Sequence, residues 1–348
     1  DFPFKRYQIQ KVWRGERPQD GRFREFTQAD IDVVGLGELP FHYEVDLPLV
    51  MAEALMSLPI PPVHVLVNNR KVVQGICEGL GVDDVESALR GLDKLDKIGP
   101  EGVAEELAEA GLEQPQIDVL LRMAQIRTED SKHLRSQVNA LCVSSETLTQ
   151  GLDELCALVE QAGAAMPGVV LADLKIARGL DYYTGSVYES EIVGHEDLGS
   201  ICSGGRYDSL AKDGKRSYPG VGLSIGVSRL VSRLLSQDMV TASRKVPTCV
   251  VIAVADEEQR QHCNALATIL RKRGIPTDVA PSAAKFGKQI KFADKRGIPF
   301  VWFPGSEGEA DTVKDIRSGE QVQADIYSWQ PPVEDLHPSV VPAQDSND

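Results

Sequence analysis

The spacing of apolar residues divides the chain into strand-like and helix-like stretches. Residues 6–13 and 23–34 partly alternate between apolar and polar positions and are rich in residues that favour strands. They predict a hairpin around the charged loop 14–22. Further along, the same criteria predict a helix over 47–57, a buried strand at 63–67 and a helix over 72–80.

Helical periodicity with Ala, Leu and Glu enrichment then runs from about residue 83 to residue 165 and predicts a helical module of its own. Strand character returns after this module, so we expect the sheet that begins near the N-terminus to resume there. The later elements are predicted as strands at 169–174, 186–193 and 221–225 and a helix over 227–235.

A continuous apolar strand at 248–255 and an amphipathic helix that Gly274 ends open a third pattern. The pattern repeats with a strand at 277–280, a helix over 285–296 and a strand at 299–303, which predicts a βαβαβ module with a mainly parallel sheet. A final hairpin is expected to turn at Ser318–Gly319. The stretch 328–348 is rich in proline and acidic residues and predicts a disordered tail.

Length and composition fit a globular chain. A length of 348 residues predicts two or three domains. The longest apolar runs are too short to cross a membrane, and no signal peptide is evident, so we expect a cytoplasmic protein. The six cysteines and six histidines form no pattern typical of metal or nucleophilic sites, so no metal site formed by these residues is expected.

The net charge of −15 argues against a nucleic-acid partner, but its distribution changes that inference. Residues 81–165 hold 7 Lys and Arg against 17 Asp and Glu, a local charge of −10. Residues 245–327 hold 12 against 11, a local charge of +1. One acidic segment therefore carries most of the excess.

The hairpin loop concentrates Arg14, Arg17, Arg22 and Arg24. A solvated loop with weak ion pairs would explain such charges. However, guanidinium groups suit bidentate phosphate binding, and the neighbouring Phe26 offers a stacking surface. The loop therefore predicts a site for a nucleoside triphosphate.

Four segments carry a resemblance to a known family. RGERPQDGRFREFTQADID resembles motif 2 of class II aminoacyl-tRNA synthetases, and specifically of histidyl-tRNA synthetases. ARGLDYY with Thr184 and Gly185, and CSGGRYD, resemble the two histidine motifs of that family, and GLSIGVSRL resembles class II motif 3. The resemblance implies an α+β fold: an antiparallel catalytic sheet flanked by helices, a helical insertion and a C-terminal α/β anticodon-binding domain.

The resemblance also assigns the nucleotide-binding residues. It implies that Arg14 holds the α-phosphate and the substrate carboxylate. It implies that Glu16, Arg22 and Phe26 bind the adenine and the outer phosphates of ATP. Arg229, at the start of a helix, is the implied second nucleotide-binding arginine, and Mg²⁺ is expected to accompany ATP.

Histidine recognition is implied to fall to Gln28 at the α-ammonium group and to Asp32 with Tyr183 at the imidazole. Gln28 and Asp32 are four apart on a predicted strand and therefore share a face. A carboxylate and a tyrosine hydroxyl together match the two ring nitrogens. An edge-strand carboxylate facing solvent is the alternative for Asp32. The remaining histidine-binding residues are implied to be Arg14, Arg178, Tyr182 and Tyr207.

Arg178 resembles the arginine that stabilises the charge developing at the α-phosphate, so Arg178 and Arg14 are the implied catalytic residues. The alternative is that Arg178 only pairs with Asp181 or Asp173. Gly204 and Gly205 either let the backbone approach the substrate or form a tight turn between strands.

The implied function is formation of histidyl adenylate from L-histidine and ATP, followed by transfer to the 3′-hydroxyl of tRNA(His) by a homodimer. The implied domains are a discontinuous catalytic core, 1–80 and 166–244, an insertion, 81–165, and an anticodon-binding domain, 245–327. A helix with Lys285, Lys288, Lys291, Lys295 and Arg296 is expected to face tRNA phosphates, unless it is only an exposed amphipathic face. Arg127, Lys132 and Arg135 are the suggested tRNA-facing cations of the insertion.

One departure from the family is that nothing before Asp1 corresponds to its motif 1, so we expect a piece of a longer enzyme. The alternative is a chain that never had this region. The rival function is a non-catalytic paralogue that regulates another enzyme or senses tRNA. Retention of Arg14, Arg178 and Arg229 favours the enzyme.

Overall fold

The computed structural model describes residues 1–15, 17, 23–176, 182–306 and 308–343. The chain forms two compact units, residues 1–237 and residues 238–348. The helical stretch after residue 83 belongs to the first unit.

The first unit combines a large sheet with helices that include the predicted helical stretch. Its elements in chain order are β1 Phe4–Trp13, β2 Glu25–Val34, α1 His42–Met56, β3 Val63–Asn69, α2 Arg70–Gly79, α3 Val85–Leu92, α4 Leu95–Glu109, α5 Gln114–Met123, β4 Arg127–Thr128, α6 Ser131–Asn139, α7 Glu146–Ala165, β5 Val170–Asp173, β6 Ser186–Ile192, β7 Cys202–Tyr207, β8 Lys212–Asp213, β9 Arg216–Ser217, β10 Gly220–Ile225 and α8 Val227–Ser236. These bounds confirm the predicted hairpin and the return of the sheet after the helices.

The described strands of this sheet follow the order β1-β2-β10-β7-β6-β3-β5-β4. Neighbouring strands are antiparallel except β3 and β5, which are parallel. The predicted antiparallel α+β fold is therefore confirmed. In the centre of the sheet, the register aligns Asp30, Ser224, Ser203 and Glu189 across four strands. Because paired residues project from the same face, these side chains form one polar row.

Two glycines let the helical stretch pack tightly onto α2. A Cβ at Gly75 would lie 2.2 Å from the backbone nitrogen of Leu148 in α7, and a Cβ at Gly151 would lie 2.6 Å from the Cβ of Lys71. The two helices therefore approach each other to backbone distance, which larger residues at either position would prevent. This contact ties the end of the helical stretch to the strand that precedes α2.

The second unit is the predicted α/β module. Its elements are β11 Val240–Ala242, β12 Val250–Ile252, α9 Arg260–Lys272, β13 Thr277–Val279, α10 Phe286–Arg296, β14 Phe300–Phe303, β15 Thr312–Asp315, β16 Gln321–Gln323, α11 Val333–Leu336 and β17 Val340–Pro342. The main sheet has the order β13-β12-β14-β15-β16, with β12 parallel to both neighbours. Central parallel strands are covered on both faces, which explains the unbroken apolar run from Cys249 to Val254.

The predicted disorder of the tail from residue 328 is wrong for residues 328–343. The Trp329 ring lies 5.6 Å from the Trp302 ring and 5.3 Å from the Phe300 ring. The buried Arg244 donates hydrogen bonds to the carbonyls of Asp335 and Leu336, at 2.8 and 3.1 Å. β17 then pairs with β11, which places residues 240–242 in this unit. Residues 344–348 lie outside the described part of the chain.

Candidate active site

A cavity of about 320 Å³ lies over the polar row of the first sheet. Its walls come from the end of the β1–β2 hairpin, from the segments that flank β6 and β7, and from the start of α8. The residues with polar or aromatic side chains that line it include Arg14, Arg17, Phe23, Phe26, Gln28, Tyr182, Tyr183, Glu189, Ser203, Ser224 and Arg229.

Three arginines from two parts of the chain line this cavity. Arg14 follows β1, and its guanidinium lies over the Phe26 ring at 4.8 Å from the centroid. Arg17 belongs to the same hairpin. Arg229, in the first turn of α8, donates a hydrogen bond to the carbonyl of Leu198 at 3.2 Å. Three positive charges around one polar cavity suit a ligand with several phosphate groups.

Asp32 and Tyr183 lie over two neighbouring glycines of the sheet. Gly222 pairs with Asp32 on one side and with Gly205 on the other. A Cβ at Gly222 would lie 2.2 Å from the Asp32 Oδ1, and a Cβ at Gly205 would lie 2.8 Å from the Tyr183 ring. The glycines thus leave the space that the carboxylate and the ring occupy. They lie within strands, so the alternative of a tight turn is wrong for Gly204 and Gly205.

The Asp32 carboxylate is held from two sides. Arg6 donates to its Oδ2 at 2.9 Å, and the Tyr207 hydroxyl donates to its Oδ1 at 2.9 Å. Burial, and next the nearby Asp32 charge, raises the pKa of the Tyr207 hydroxyl, so Tyr207 stays protonated and remains a donor. Asp32 is half-buried rather than free in solvent, and its side chain keeps the capacity to accept further hydrogen bonds.

The tyrosine pair forms one side of the cavity. The Tyr182 and Tyr183 rings lie 4.3 Å apart, and both line the cavity. The pKa of Tyr183 is raised above its ordinary value, chiefly because the side chain is buried, so its hydroxyl is neutral over the physiological pH range. Gln28, on β2, lines the cavity. Asp32 lies on the same face of β2, but neither Asp32 nor Tyr207 is among the described residues that line the cavity.

A buried ionic network supports the strand that carries CSGGRY. Arg206 in β7 donates to the Oε1 of Glu44 in α1 at 2.7 Å and to the Oδ1 of Asp208 at 3.1 Å. The Glu44 carboxylate also accepts a hydrogen bond from the backbone of Ser186 at 3.2 Å. Glu44 is only 2% exposed, so these donors replace the water that its carboxylate would otherwise bind. The network fixes β6 and β7 against α1.

Several predicted residues fall outside the described part of the chain: Glu16, Arg22 and Arg178. Glu189, Ser203 and Ser224 also line the cavity, although no motif predicted them. The Ser224 hydroxyl donates to the Oδ1 of Asp30, in the polar row that the strand register aligns. Arg17 belongs to the arginine-rich loop that marked the site, so its proximity to the other arginines was the available signal.

The predicted cations of the second unit are exposed on α10. Lys288, Lys291 and Lys295 recur at three- and four-residue intervals and so share a helix face. Lys285 precedes the helix, and the Arg296 guanidinium lies over the Phe292 ring at 4.6 Å. Two of the suggested cations of the helical stretch are in ion pairs, Arg127 with Glu191 and Arg135 with Asp153.

Over the described ranges, no group of three or more His, Cys, Asp or Glu residues is arranged to hold a metal ion. No helix in the described part of the chain has the length and apolar character to cross a membrane.

The first unit is thus an antiparallel-sheet domain with an arginine-lined cavity, the kind of site that binds and activates a nucleotide. Comparison with known proteins identifies it further. The family model for histidyl-tRNA synthetase matches residues 3–230, and the model for an anticodon binding domain matches residues 248–328. Because the first model covers more than half of its length, the chain belongs to the histidyl-tRNA synthetase family.

Individual relatives agree with this assignment. The chain is 57% identical to the histidine–tRNA ligase of Micrococcus luteus, over 99% of this chain and 76% of the relative. It is 54% identical to the histidine–tRNA ligase of Cutibacterium acnes, over 98% of this chain and 77% of the relative. The chain therefore spans about three quarters of the length of these relatives.

Solved structures give the same result. The histidyl-tRNA synthetase from Nostoc sp. PCC 7120 matches with a TM-score of 0.79 and 34% identity, over 93% of this chain and 76% of that one. An ATP phosphoribosyltransferase regulatory subunit/histidyl-tRNA synthetase from Bacillus halodurans matches with a TM-score of 0.64 and 19% identity, over 84% and 72%. The second likeness shows the fold alone.

Proposed function

We propose that this chain is a histidine–tRNA ligase. It converts L-histidine and ATP to histidyl adenylate and pyrophosphate, and the 3′-hydroxyl of tRNA(His) then attacks the adenylate carbonyl and releases AMP. Both steps depend on positioning and on stabilisation of negative charge rather than on a covalent enzyme intermediate. The observation that carries the proposal is one cavity lined by Arg14, Arg17 and Arg229 beside Gln28 and Tyr183, in a member of this family.

The arginines supply the electrostatics of adenylate formation. Arg14 lies at the end of β1 with its guanidinium stacked on Phe26, and in this proposal it holds the α-phosphate and the histidine carboxylate. Phe26 stacks against the adenine, and Arg229 binds the nucleotide from α8. Preorganised cations stabilise the charge that develops at phosphorus without reorganisation during the reaction. The roles of Glu16, Arg22 and Arg178 stay predictions from the resemblance.

Histidine binds over the two glycines in this proposal. Gln28 accepts a hydrogen bond from the α-ammonium group, and the Asp32 carboxylate accepts one from an imidazole N–H. The neutral Tyr183 hydroxyl forms a hydrogen bond with the other ring nitrogen. The Tyr207 hydroxyl donates to the Asp32 carboxylate and holds it in place. Tyr182 packs against Tyr183 and narrows the cavity. A site built to hydrogen-bond both ring nitrogens rejects apolar side chains of similar size because its own polar groups would be left unpaired.

Mg²⁺ enters with ATP in this proposal. Magnesium commonly binds through one or two carboxylates together with substrate phosphates. Among the described residues that line the cavity, Glu189 supplies a carboxylate, so the lining fits an ion that arrives with the nucleotide. The ion would neutralise phosphate charge, while the arginines orient the phosphate groups.

The remaining expectations concern partners and place. We propose that residues 1–80 and 166–237, all within the first unit, form the catalytic core, that 81–165 approaches the acceptor arm, and that 245–327 reads the anticodon arm. The exposed cations of α10 would contact phosphates of tRNA(His). We further propose that the enzyme acts as a homodimer in the cytoplasm.

A non-catalytic paralogue is the rival, but its support is the 19% likeness to a regulatory subunit/synthetase, which concerns fold alone. Histidine-dependent exchange of pyrophosphate into ATP by the full-length protein separates the two. Arg14→Ala should lower the exchange rate by about 100- to 1,000-fold, the usual loss for removal of one charge-stabilising donor. Arg24→Ala is the matched control, because Arg24 lies in the same hairpin and is exposed outside the cavity lining.

The ligase proposal fails if the wild-type protein binds histidine or tRNA but catalyses no exchange. The assignment of Arg14 fails if Arg14→Ala and Arg24→Ala lower the exchange rate equally.

A further inference from the structure

The junction between β3 and α2 lies outside the cavity, yet it binds the main chain of two cavity-lining residues. The junction consists of Asn68, Asn69 and Arg70, and none of the three lines the cavity. Asn68 and Asn69 are fully buried. Buried amide side chains are retained where their hydrogen bonds are made, so the partners of these residues are informative.

Asn68 uses its amide nitrogen to hold the segment that follows β5. Its Nδ2 donates to the carbonyl of Ile176 at 2.9 Å and to the carbonyl of Leu174 at 3.4 Å. Its Oδ1 accepts a hydrogen bond from the backbone of Asn69 at 2.8 Å. These partners require a side chain with two donors and an acceptor. Neither aspartate nor leucine, which are of similar size, can provide them.

Arg70 holds the main chain on the other side. Its Nη1 donates to the carbonyl of Tyr183 at 3.2 Å, and its backbone N–H donates to the carbonyl of Gly185 at 2.9 Å. Ile176 and Tyr183 both line the cavity. One short junction therefore anchors two separate points of the cavity wall to the buried end of β3.

We propose that Arg70 is a positioning residue that sets the place of the Tyr183 ring for histidine binding, and that Asn68 positions the cavity wall at Ile176, whose carbonyl it holds. This inference rests on the proposed histidine site. Tyr183 lies against Gly205, where a Cβ would be 2.8 Å from the ring, so the ring has little room to adjust independently of its main chain. A shift of the main chain at Tyr183 is therefore passed to the hydroxyl that serves the imidazole.

Asn69 provides a natural control. It is as buried as Asn68 and adjacent to it, but its side chain accepts a hydrogen bond from the backbone of Lys71 at 2.9 Å and donates to Glu154 at 2.9 Å. These contacts cap α2 and bind α7, and neither holds the cavity wall. Loss of the Asn69 side chain should therefore reduce stability without a specific effect on histidine.

The test compares Asn68→Asp, Arg70→Met, Arg70→Lys and Asn69→Ala in histidine-dependent pyrophosphate exchange. Since small misplacements of positioning groups can cost up to about 100-fold, Asn68→Asp and Arg70→Met should raise the histidine KM by about 10-fold or more and change the ATP KM by less than about 2-fold. Arg70→Lys, which keeps a cationic donor, should recover part of the loss. Asn69→Ala should leave both KM values within about 2-fold while lowering the melting temperature through loss of the cap.

A double-mutant cycle with Tyr183→Phe gives a readout that a purely structural role would not move. If Arg70 acts through the Tyr183 hydroxyl, Arg70→Met should raise the histidine KM much less in the Tyr183→Phe background. Additive effects would overturn the proposal, as would equal rises in the histidine and ATP KM values or a rise as large in Asn69→Ala. Absence of exchange by the wild-type protein would instead contradict the proposed function itself.

Discussion

Gly222→Ala should impair histidine activation through one identifiable contact. The alanine Cβ would lie 2.2 Å from the Oδ1 of Asp32, whereas real Cβ atoms essentially never approach closer than 3.0 Å. The carboxylate must therefore retreat by at least 0.8 Å, the difference between these distances. Its hydrogen bonds from Arg6 and Tyr207, both 2.9 Å, would then lengthen beyond useful range.

The magnitude follows from the two hydrogen bonds that would be disturbed. Hydrogen bonds to charged groups contribute about 1.5–3 kcal/mol each, and weakening two of them while Asp32 leaves its site should cost about 2 kcal/mol of transition-state binding. At about 1.4 kcal/mol per tenfold, kcat/KM for histidine should fall by about 30-fold. The kcat/KM for ATP at saturating histidine should change much less.

The assay is steady-state pyrophosphate exchange with varied histidine, together with thermal unfolding. Gly163→Ala is the control, because a Cβ at this position in α7 meets nothing within 4 Å. The same substitution at Gly222 in an Asp32→Ala background should have little further effect, since the contacted oxygen is gone. A full additional loss in that background, or an unchanged kcat/KM in the single variant, would refute the reasoning.

Three further predictions follow from described contacts. Glu44→Gln should lower the free energy of unfolding in urea by about 2–4 kcal/mol. This is somewhat below the full cost of breaking a buried ion pair, because Arg206 still has Asp208 as a partner. Glu53→Gln, at an exposed position in the same helix, is the control and should change the free energy of unfolding little. The pKa of Glu257 is lowered to about 2, chiefly by its hydrogen bond from Arg260. Glu257 in the unfolded chain therefore binds a proton more readily than in the folded chain. Its contribution to folding stability should be present above about pH 4.5 and lost as the pH falls toward 2. Glu257→Gln should therefore flatten the dependence of the free energy of unfolding on pH over this range. Replacing Lys288, Lys291 and Lys295 by glutamate should weaken tRNA binding and reduce its salt dependence without changing pyrophosphate exchange. Equal binding by wild type and variant would contradict the proposed phosphate contact.

Local patterns predicted most of the elements because they depend on near neighbours in sequence. Alternation predicted the β1–β2 hairpin, and the apolar run from Cys249 to Val254 predicted a central parallel strand. Their partners were not visible in the same way. The hydrogen bond from Arg206 to Glu44 joins residues 162 positions apart. Arg206 belongs to the CSGGRYD motif, but nothing in the sequence marks Glu44 as its partner. The buried network behind β7 was therefore found only in the folded chain.

The prediction for the tail was wrong for the same physical reason: the partners of this segment are distant in sequence. Its composition predicts too little apolar surface for a core of its own, which is correct as a local statement. Trp329 instead packs on Trp302 and Phe300, and β17 pairs with a strand almost 100 residues earlier. A segment with a poor core of its own is ordered here by a core that the preceding strands have already built.

The candidate site was predictable where arginines and glycines cluster in sequence, as in the hairpin loop and CSGGRYD. Register supplied what motifs did not. Glu189, Ser203, Ser224 and Asp30 fall in one row only because the register of four strands aligns them. The contacts of Asn68 and Arg70 likewise depend on where β3 ends relative to Ile176 and Tyr183.

The most direct test of the central claim is the amino-acid dependence of pyrophosphate exchange by the full-length protein, with each of the twenty amino acids supplied separately at saturating ATP. A histidine site in which Tyr183, in the cavity, and Asp32, on the adjoining strand β2, bind the two imidazole nitrogens predicts exchange with histidine. For the other amino acids it predicts rates lower by at least about 1,000-fold, as expected for a site whose polar groups would be left unpaired. An equal or faster rate with any other amino acid would contradict it.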